Sequence, residues 1–178
     1  MNTIQLEDKK FRKSISSADI QHQVQRIADE INAKSFKNEV IFVAVLNGAF
    51  MFATDILRRI HFPCRVSFLK LASYQGDTST GKIKQLVGIN EDLEGKSIII
   101  LEDIVDTGHT LDSIIRQLKA FEPAQIQIAT LLFKPDACKH DFILDHVGFT
   151  IPNDFIVGYG LDYNGLGRNL EDIYSVEV

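Results

Sequence analysis

The stretch Val40-Ile-Phe-Val-Ala-Val-Leu46 constrains this chain more than any other: seven consecutive apolar residues, rich in β-branched side chains, with no position suited to water. A strand with one wet face alternates apolar and polar, so an uninterrupted run predicts a strand covered on both faces. It is far short of the ~20 residues that span a bilayer, and no membrane partner is expected. Ser97-Ile-Ile-Ile-Leu101 reads as another buried strand, Ile126 to Phe133 as a strand again, and Arg65 to Leu71 alternates as a further strand. Helical signals stand between them. Ser16 and Ser17 precede an apolar stripe at Ile20, Val24, Ile27 and Ile31. Phe50 to Ile60 reads as a second helix, and Thr110 to Phe121, ended by Pro123, as a third. Gln85 to Ile89 and Phe155 to Val157 read as short strands. Strands alternating with helices predict an α/β fold, a mostly parallel twisted sheet flanked by helices.

With 178 residues, 45% of them apolar and 24% charged, the chain suits a single domain, residues 1–178, with a sizeable core. Its net charge of −5 argues against nucleic acid as a partner, because phosphate neutralisation needs clustered Lys and Arg. Residues 1–17 carry charges throughout and no apolar stretch, so no secretory signal is expected. Cys64 and Cys138 lack CxxC spacing, which fits reduced thiols in a cytoplasmic protein. The five histidines show neither HxH nor HExxH pairing, so a zinc site is not expected.

In sheets of this kind ligands bind beyond the carboxyl ends of the strands. One such end reads Glu102-Asp103-Ile104-Val105-Asp106-Thr107-Gly108-His109-Thr110. With Leu101 taken as the last strand residue, three carboxylates arrive as the strand stops, and a Thr/Gly turn and a helix follow. Unpaired N–H groups of the turn and the helix start, with the helix dipole, suit a phosphate; the Thr107 and Thr110 hydroxyls add donors and Gly108 permits close approach. Carboxylates repel such an anion and suit sugar hydroxyls, a metal or a proton. The ordinary alternative, an acidic strand end with Thr as a helix cap, leaves three clustered carboxylates without a purpose. A second segment, Gly76-Asp-Thr-Ser-Thr-Gly81-Lys82, follows Walker A spacing until its last position. There Ile83 replaces the hydroxyl that would hold Mg²⁺, and a strand-like run follows instead of a helix, so a nucleoside triphosphatase is rejected.

The apolar strand followed by Glu-Asp-Ile-Val-Asp-Thr-Gly-His-Thr resembles the phosphoribosyl pyrophosphate signature of type I phosphoribosyltransferases. The Glu-Asp pair, Leu131-Leu-Phe-Lys134-Pro135 and Phe155-Ile-Val-Gly-Tyr-Gly-Leu-Asp162-Tyr163 are most similar to the hypoxanthine-guanine branch, and the resemblance runs from about Val40 to Arg168. It implies a small hood lobe over the base, drawn from the N-terminal segment and roughly residues 150–178, and assembly as a homodimer or homotetramer. It implies purine salvage: transfer of the phosphoribosyl group of 5-phosphoribosyl 1-pyrophosphate to hypoxanthine and guanine, giving IMP and GMP.

The same resemblance assigns roles. The phosphoribosyl pyrophosphate segment would run from Glu102 through Ile104 and Val105 to Thr110, with Asp106 to Thr110, His109 included, on the 5-phosphate. Glu102 and Asp103 would hold ribose hydroxyls, and Asp106 would be catalytic, accepting the purine's proton. Asn47 and Gly48, in a loop where a non-proline cis peptide is typical, would meet pyrophosphate, as would Arg168. Lys134 would donate to the exocyclic oxygen of the base, a contact adenine cannot satisfy. Phe155 would stack on the ring, the Ile156 backbone would bond its edge, and Asp162 would lie beside it. Mg²⁺ is the implied cofactor, with Glu102, Asp103 and Asp162 as candidate ligands and most of its shell from water and substrate. Ser73 and Tyr74 would begin a lid that excludes water. Three positions depart from the pattern: Asn47 stands where relatives often have Lys or Arg, His109 where some have Lys, and Cys138 where some have Arg. Alternatives are a transferase preferring xanthine or a pyrimidine, and a regulatory protein of the same fold that binds nucleotide and RNA or DNA.

Overall fold

The computed structural model describes residues 2–72 and 84–177. In chain order the elements are β1 (Thr3–Leu6), β2 (Lys9–Ile15), α1 (Ser17–Asn32), β3 (Val40–Leu46), α2 (Phe50–Leu57), β4 (Arg65–Ala72), β5 (Lys84–Val87), β6 (Ser97–Val105), α3 (His109–Lys119), β7 (Gln125–Phe133), β8 (His146–Thr150), β9 (Ile156–Val157) and β10 (Ile173–Val176). The larger sheet has the order β5-β4-β3-β6-β7-β8. Its five strands from β4 to β8 are parallel, and β5 adds an antiparallel edge. This is the α/β sheet expected from the apolar runs.

The continuous apolarity of β3 follows from burial on both sides. Val40, Phe42 and Ala44 face α1 and α2, whereas Ile41, Val43 and Val45 face the side of α3. On β6, Ile99 and Leu101 share the first side, and Ile98 and Ile100 the second. Beyond Leu101 this parity is exchanged: Ile104 joins the α1–α2 side and Val105 the α3 side. The intervening Glu102 and Asp103 therefore sit where the alternation slips.

Helix α1 buries Ile20, Val24, Ile27, Ala28 and Ile31, and the Ser16 hydroxyl caps it by accepting from the Asp19 N–H at 3.1 Å. Helix α2 stops at Leu57, short of Ile60. Its last turn tightens as the Arg59 N–H reaches the Ile56 carbonyl (2.9 Å) and the Ile60 N–H that of Leu57 (3.3 Å). Helix α3 places Asp112 in its first turn and Arg116 and Lys119 in its last, matching the helix dipole.

Sequence patterning alone does not reveal the second, antiparallel sheet, β1-β2-β10-β9. It unites residues 3–15 with 156–176. One face carries Phe11, Val157 and Tyr174 in a small cluster of their own, while Ile15, Ile156 and Ile173 on the other face join the main core. The charged positions of β2 hide its alternation, and β10 is four residues long, so neither stands out as an apolar run. No described helix is long and apolar enough to cross a membrane.

Candidate active site

Strand β6 runs to Val105, four residues beyond the expected end at Leu101. Its ladder with β7 continues through Glu102↔Thr130, Ile104↔Leu132 and Val105↔Phe133, and the Lys134 N–H extends it onto the Val105 carbonyl at 3.0 Å. Backbone pairing holds the chain extended despite its carboxylates. Glu102 and Asp103 are thus strand residues, and of the three carboxylates only Asp106 belongs to the turn.

The turn is open. Among the described residues, none accepts a hydrogen bond from the N–H groups of Asp106, Thr107, Gly108, His109 or Thr110. They border a cavity of about 200 Å³ lined by Glu102 to Gly108, Thr110 and Leu111. Gly108 has φ +82° and directly precedes α3; a Cβ there would lie 2.6 Å from the Phe142 ring, so only glycine fits. Free amides at a helix N-terminus around a space of this size make an anion cradle.

The carboxylates differ in environment. Glu102 is buried and its Oε2 has no hydrogen-bond partner, and burial, reinforced by the Asp103 charge, raises its pKa well above the ordinary value. Asp103 is pushed up to about 6, chiefly by burial; the Ile104 N–H, bonded to its Oδ1 at 2.9 Å, and Arg168 work in the opposite direction. Asp106 projects from the turn with 44% of its side chain exposed, and its Oδ2 accepts from Lys134 Nζ at 2.9 Å. Lys134 follows the end of β7, and its side chain is only 7% exposed. A buried ammonium needs a partner, and Asp106 supplies one. The result is an acceptor and a cationic donor side by side at the mouth of the cradle.

Facing this strand, the loop after β3 contains a cis Leu46–Asn47 peptide. Gly48 lies so close to Asp103 that a Cβ would fall 1.5 Å from its Oδ2. On the loop's other side, a Cβ on Gly160 would fall 2.0 Å from the Gly48 carbonyl oxygen. Three backbone and side-chain layers (Asp103, Gly48, Gly160) therefore stack without room for a methyl group. Arg168 braces the stack: its Nη1 donates to the Gly160 carbonyl (2.7 Å) and its Nη2 pairs with Asp162 Oδ1 (2.5 Å). Asp162 also accepts from the Gly165 N–H at 2.7 Å.

Phe155 directly precedes β9 of the smaller sheet, and Ile156 begins that strand. The Phe155 ring is 45% exposed and held edge-on by Tyr163, with centroids 5.8 Å apart. The Val176 N–H donates to the Phe155 carbonyl (2.9 Å), which makes Ile156 and Ser175 a non-hydrogen-bonded antiparallel pair. Strand β9 is the sheet edge, so the N–H and C=O of Ile156 point outward from it. Its side chain is buried in the main core.

The fold thus joins Glu102, Asp103, Ile104, Val105, Asp106, Thr107, Gly108 and Thr110 around one cavity, Lys134 to Asp106, and Gly48 to Asp103. Asp162 and Arg168 engage each other. Asp162 is committed to Arg168 and to the Gly165 amide, an arrangement unlike the open carboxylate expected of a metal ligand. His109 turns its side chain aside to His140, Nδ1 to Nε2 at 2.8 Å, and contributes to the cradle by its amide. Ser73 and Tyr74, with the whole Gly76–Ile83 segment, lie outside the described residues, although β5 follows at once where a strand rather than a helix was expected. Gly160 and Leu111 were not singled out from sequence. The Gly158-Tyr-Gly160 spacing was the available signal for the first, whereas Leu111 looked like any apolar helix position.

A family profile described as phosphoribosyl transferase domain matches residues 16–164. A hypoxanthine phosphoribosyltransferase of Buchnera aphidicola subsp. Schizaphis graminum is 39% identical over 165 residues, covering 91% of this chain and 93% of the relative. A hypoxanthine-guanine phosphoribosyltransferase of Aquifex aeolicus is 36% identical over 175 residues, covering 97% and 98%. The crystal structure of a hypoxanthine-guanine phosphoribosyltransferase from Bacillus anthracis superposes with a TM-score of 0.85 at 37% identity, covering 93% of this chain and 96% of that one. With an anion cradle at the strand end that carries the signature, and similarity along nearly its whole length, the chain belongs to the type I phosphoribosyltransferase family.

Proposed function

We propose that this enzyme carries out purine salvage, transferring the phosphoribosyl group of 5-phosphoribosyl 1-pyrophosphate to hypoxanthine and guanine. The observation that carries the reading is the Asp106–Lys134 pair at the rim of the open turn. A 6-oxopurine offers a ring N–H beside an exocyclic carbonyl, which needs one acceptor and one donor held together. The 5-phosphate takes the amides of Asp106 to Thr110, and the ribose hydroxyls face Glu102 and Asp103. The base sets its N7–H on Asp106 and its exocyclic carbonyl on Lys134, stacks on Phe155 and bonds the outward edge of Ile156. As the other nitrogen of the five-membered ring, N9, bonds to C1 of ribose, the C1–oxygen bond breaks, its electron pair leaves with pyrophosphate, and the N7 proton passes to Asp106. The Asp106 carboxylate also offsets the positive charge that develops on the sugar. Gly48, Asn47 and Arg168 receive the pyrophosphate.

The acidic end of β6 fits a magnesium ion in one respect: the buried Glu102 Oε2 lacks a partner and Asp103 adjoins it. No group of three His, Cys, Asp or Glu side chains among the described residues could hold a metal by itself. The fit is therefore to a cation that takes most of its oxygens from substrate and water, with Glu102 and Asp103 nearest and Asp162 joining only by releasing Arg168. Bound there, Mg²⁺ would neutralise the leaving pyrophosphate. The free thiols of Cys64 and Cys138 suit a cytoplasmic enzyme, and the exposed rings of Phe50 and Phe68 suit assembly into a homodimer or homotetramer.

The test is direct. The protein is incubated with 5-phosphoribosyl 1-pyrophosphate, Mg²⁺ and each purine or pyrimidine base, and nucleotide is quantified. Hypoxanthine and guanine should react, adenine should not, and chelation should stop turnover. Equal turnover of adenine would refute the role of Lys134, and a preference for xanthine or a pyrimidine would replace the acceptor. No turnover with any base, together with tight RNA or DNA binding, would favour the regulatory reading.

A further inference from the structure

We infer that Tyr159 is a positioning residue for the pyrophosphate half of the site, acting through its hydrogen bond to Asp55. The inference rests on the reading of Gly48 and Arg168 as pyrophosphate contacts and adds a residue that touches no substrate.

Tyr159 sits in an unusual backbone conformation. Its φ is +47°, between Gly158 at +104° and Gly160 at +103°. The left-handed region is unfavourable for a residue with a Cβ, so something outside the local chain must hold it there. The ring is 4% exposed and packed in the main core, and its hydroxyl donates to Asp55 Oδ2 at 2.6 Å. Burial, with the Asp55 carboxylate, drives the phenol's ionisation upward, so the group stays a donor. Asp55 is itself fixed: Gln21 Nε2 donates to the same Oδ2 at 2.7 Å, and Arg59 Nη2 donates to Gln21 Oε1 at 2.7 Å.

The connectivity closes a ring. Asp55 lies on α2, and α2 begins immediately after the Leu46–Ala49 loop. Tyr159 precedes Gly160, which packs against the carbonyl of Gly48 in that loop. The Tyr159–Asp55 bond therefore ties the helix that leaves the loop to the segment that covers it. Gly160 is also bonded twice to Arg168, its N–H to the Arg168 carbonyl at 2.9 Å and its carbonyl to Nη1 at 2.7 Å. Moving Tyr159 shifts Gly48 and Arg168 together. Nothing in this ring reaches the Asp106–Thr110 turn, which is held by β6, β7 and α3.

This asymmetry makes the inference testable with two probes. Pyrophosphate with Mg²⁺ uses the Gly48–Arg168 half; IMP uses the turn and the base pocket, whose Phe155 and Ile156 are anchored by the β9–β10 ladder, and meets the ring only at the Gly48–Asp103 contact. Calorimetric titration of both, with steady-state kinetics, is run on the wild type and on Tyr159→Phe. The variant should lose about tenfold in pyrophosphate affinity and gain a similar factor in KM for 5-phosphoribosyl 1-pyrophosphate, the size of one hydrogen bond to a charged group. IMP affinity and kcat should stay within about twofold. Asp55→Asn, which keeps an acceptor oxygen, should stay much closer to the wild type, and Asp55→Ala, which leaves the ring in place, should reproduce the loss. Equal loss for IMP and pyrophosphate would mean a general scaffold role and overturn the inference, as would a Tyr159→Phe variant that binds both as the wild type does. Should Tyr159→Phe not fold, Asp55→Ala decides by the same ratio. A wild type that binds neither probe would instead refute the reading of the site.

Discussion

Replacing Lys134 by Met separates catalysis from stability. Met approximates the length and volume of the lysine stem and removes the ammonium, so the cavity beside β7 stays filled. The ion pair that is lost joins a 7% exposed lysine to a carboxylate with 44% of its side chain exposed. Asp106 can therefore rehydrate, and the half-exposed pair contributes only about 0–1 kcal/mol after screening. Removing a buried ammonium relieves a desolvation cost of the opposite sign, so the net change should stay within about 1 kcal/mol. For a chain of this size that is a shift in Tm of about 4 °C or less. Catalysis behaves differently. On the proposed reading, a charged hydrogen bond from Lys134 to the base oxygen is worth about 1.5–3 kcal/mol, which predicts a fall of about 10- to 150-fold in kcat/KM for hypoxanthine. Adenine, which gained nothing from the lysine, should be affected far less, so the ratio between the two bases collapses. Thermal denaturation and paired kinetics on both bases provide the assay. A Lys134→Met enzyme within about threefold of wild type on hypoxanthine, or one that unfolds many degrees lower, would refute the assignment.

Asp106→Asn keeps an acceptor for Lys134 but cannot take a proton, so kcat should fall by about 10² or more with Tm little changed, read by the same assays. Asp103→Asn probes the pKa of about 6. A carboxyl raised from 3.8 favours the fold below about pH 4 and loses that contribution as pH rises through 6, so the metal-free wild type should weaken by up to about 3 kcal/mol across this window. The Asn variant should be flatter in a pH series of melting curves, and parallel curves for the two proteins would contradict the burial argument. Gly160→Ala places a methyl 2.0 Å from the Gly48 carbonyl at a φ of +103°, and should cost about 2 kcal/mol or more while weakening pyrophosphate binding, measured by denaturation and calorimetry.

The parallel sheet was legible because burial on two faces leaves a mark that survives without context: Val40–Leu46 and Ile98–Leu101 have no polar residue to spare for water. Helix α1 was legible through one apolar stripe, Ile20, Val24, Ile27 and Ile31, and α3 through its run from Thr110 to the Pro123 stop. The open turn was legible because its chemistry is local, carried by consecutive amides, hydroxyls and a glycine. What lay beyond reach was anything that depends on two distant segments meeting. Strand β2 is sorted into faces only by β10 from the other end of the chain, so its charged pattern carried no signal. That β6 continues through two carboxylates was decided by the ladder with β7, which outweighs their poor strand propensity. Composition and pattern by themselves determined the layered core and the place of the turn at the end of β6. Only the tertiary structure decided that Lys134 closes on Asp106 across 28 positions, and that Gly160 presses on Gly48, since such contacts are set by how sheets and helices pack.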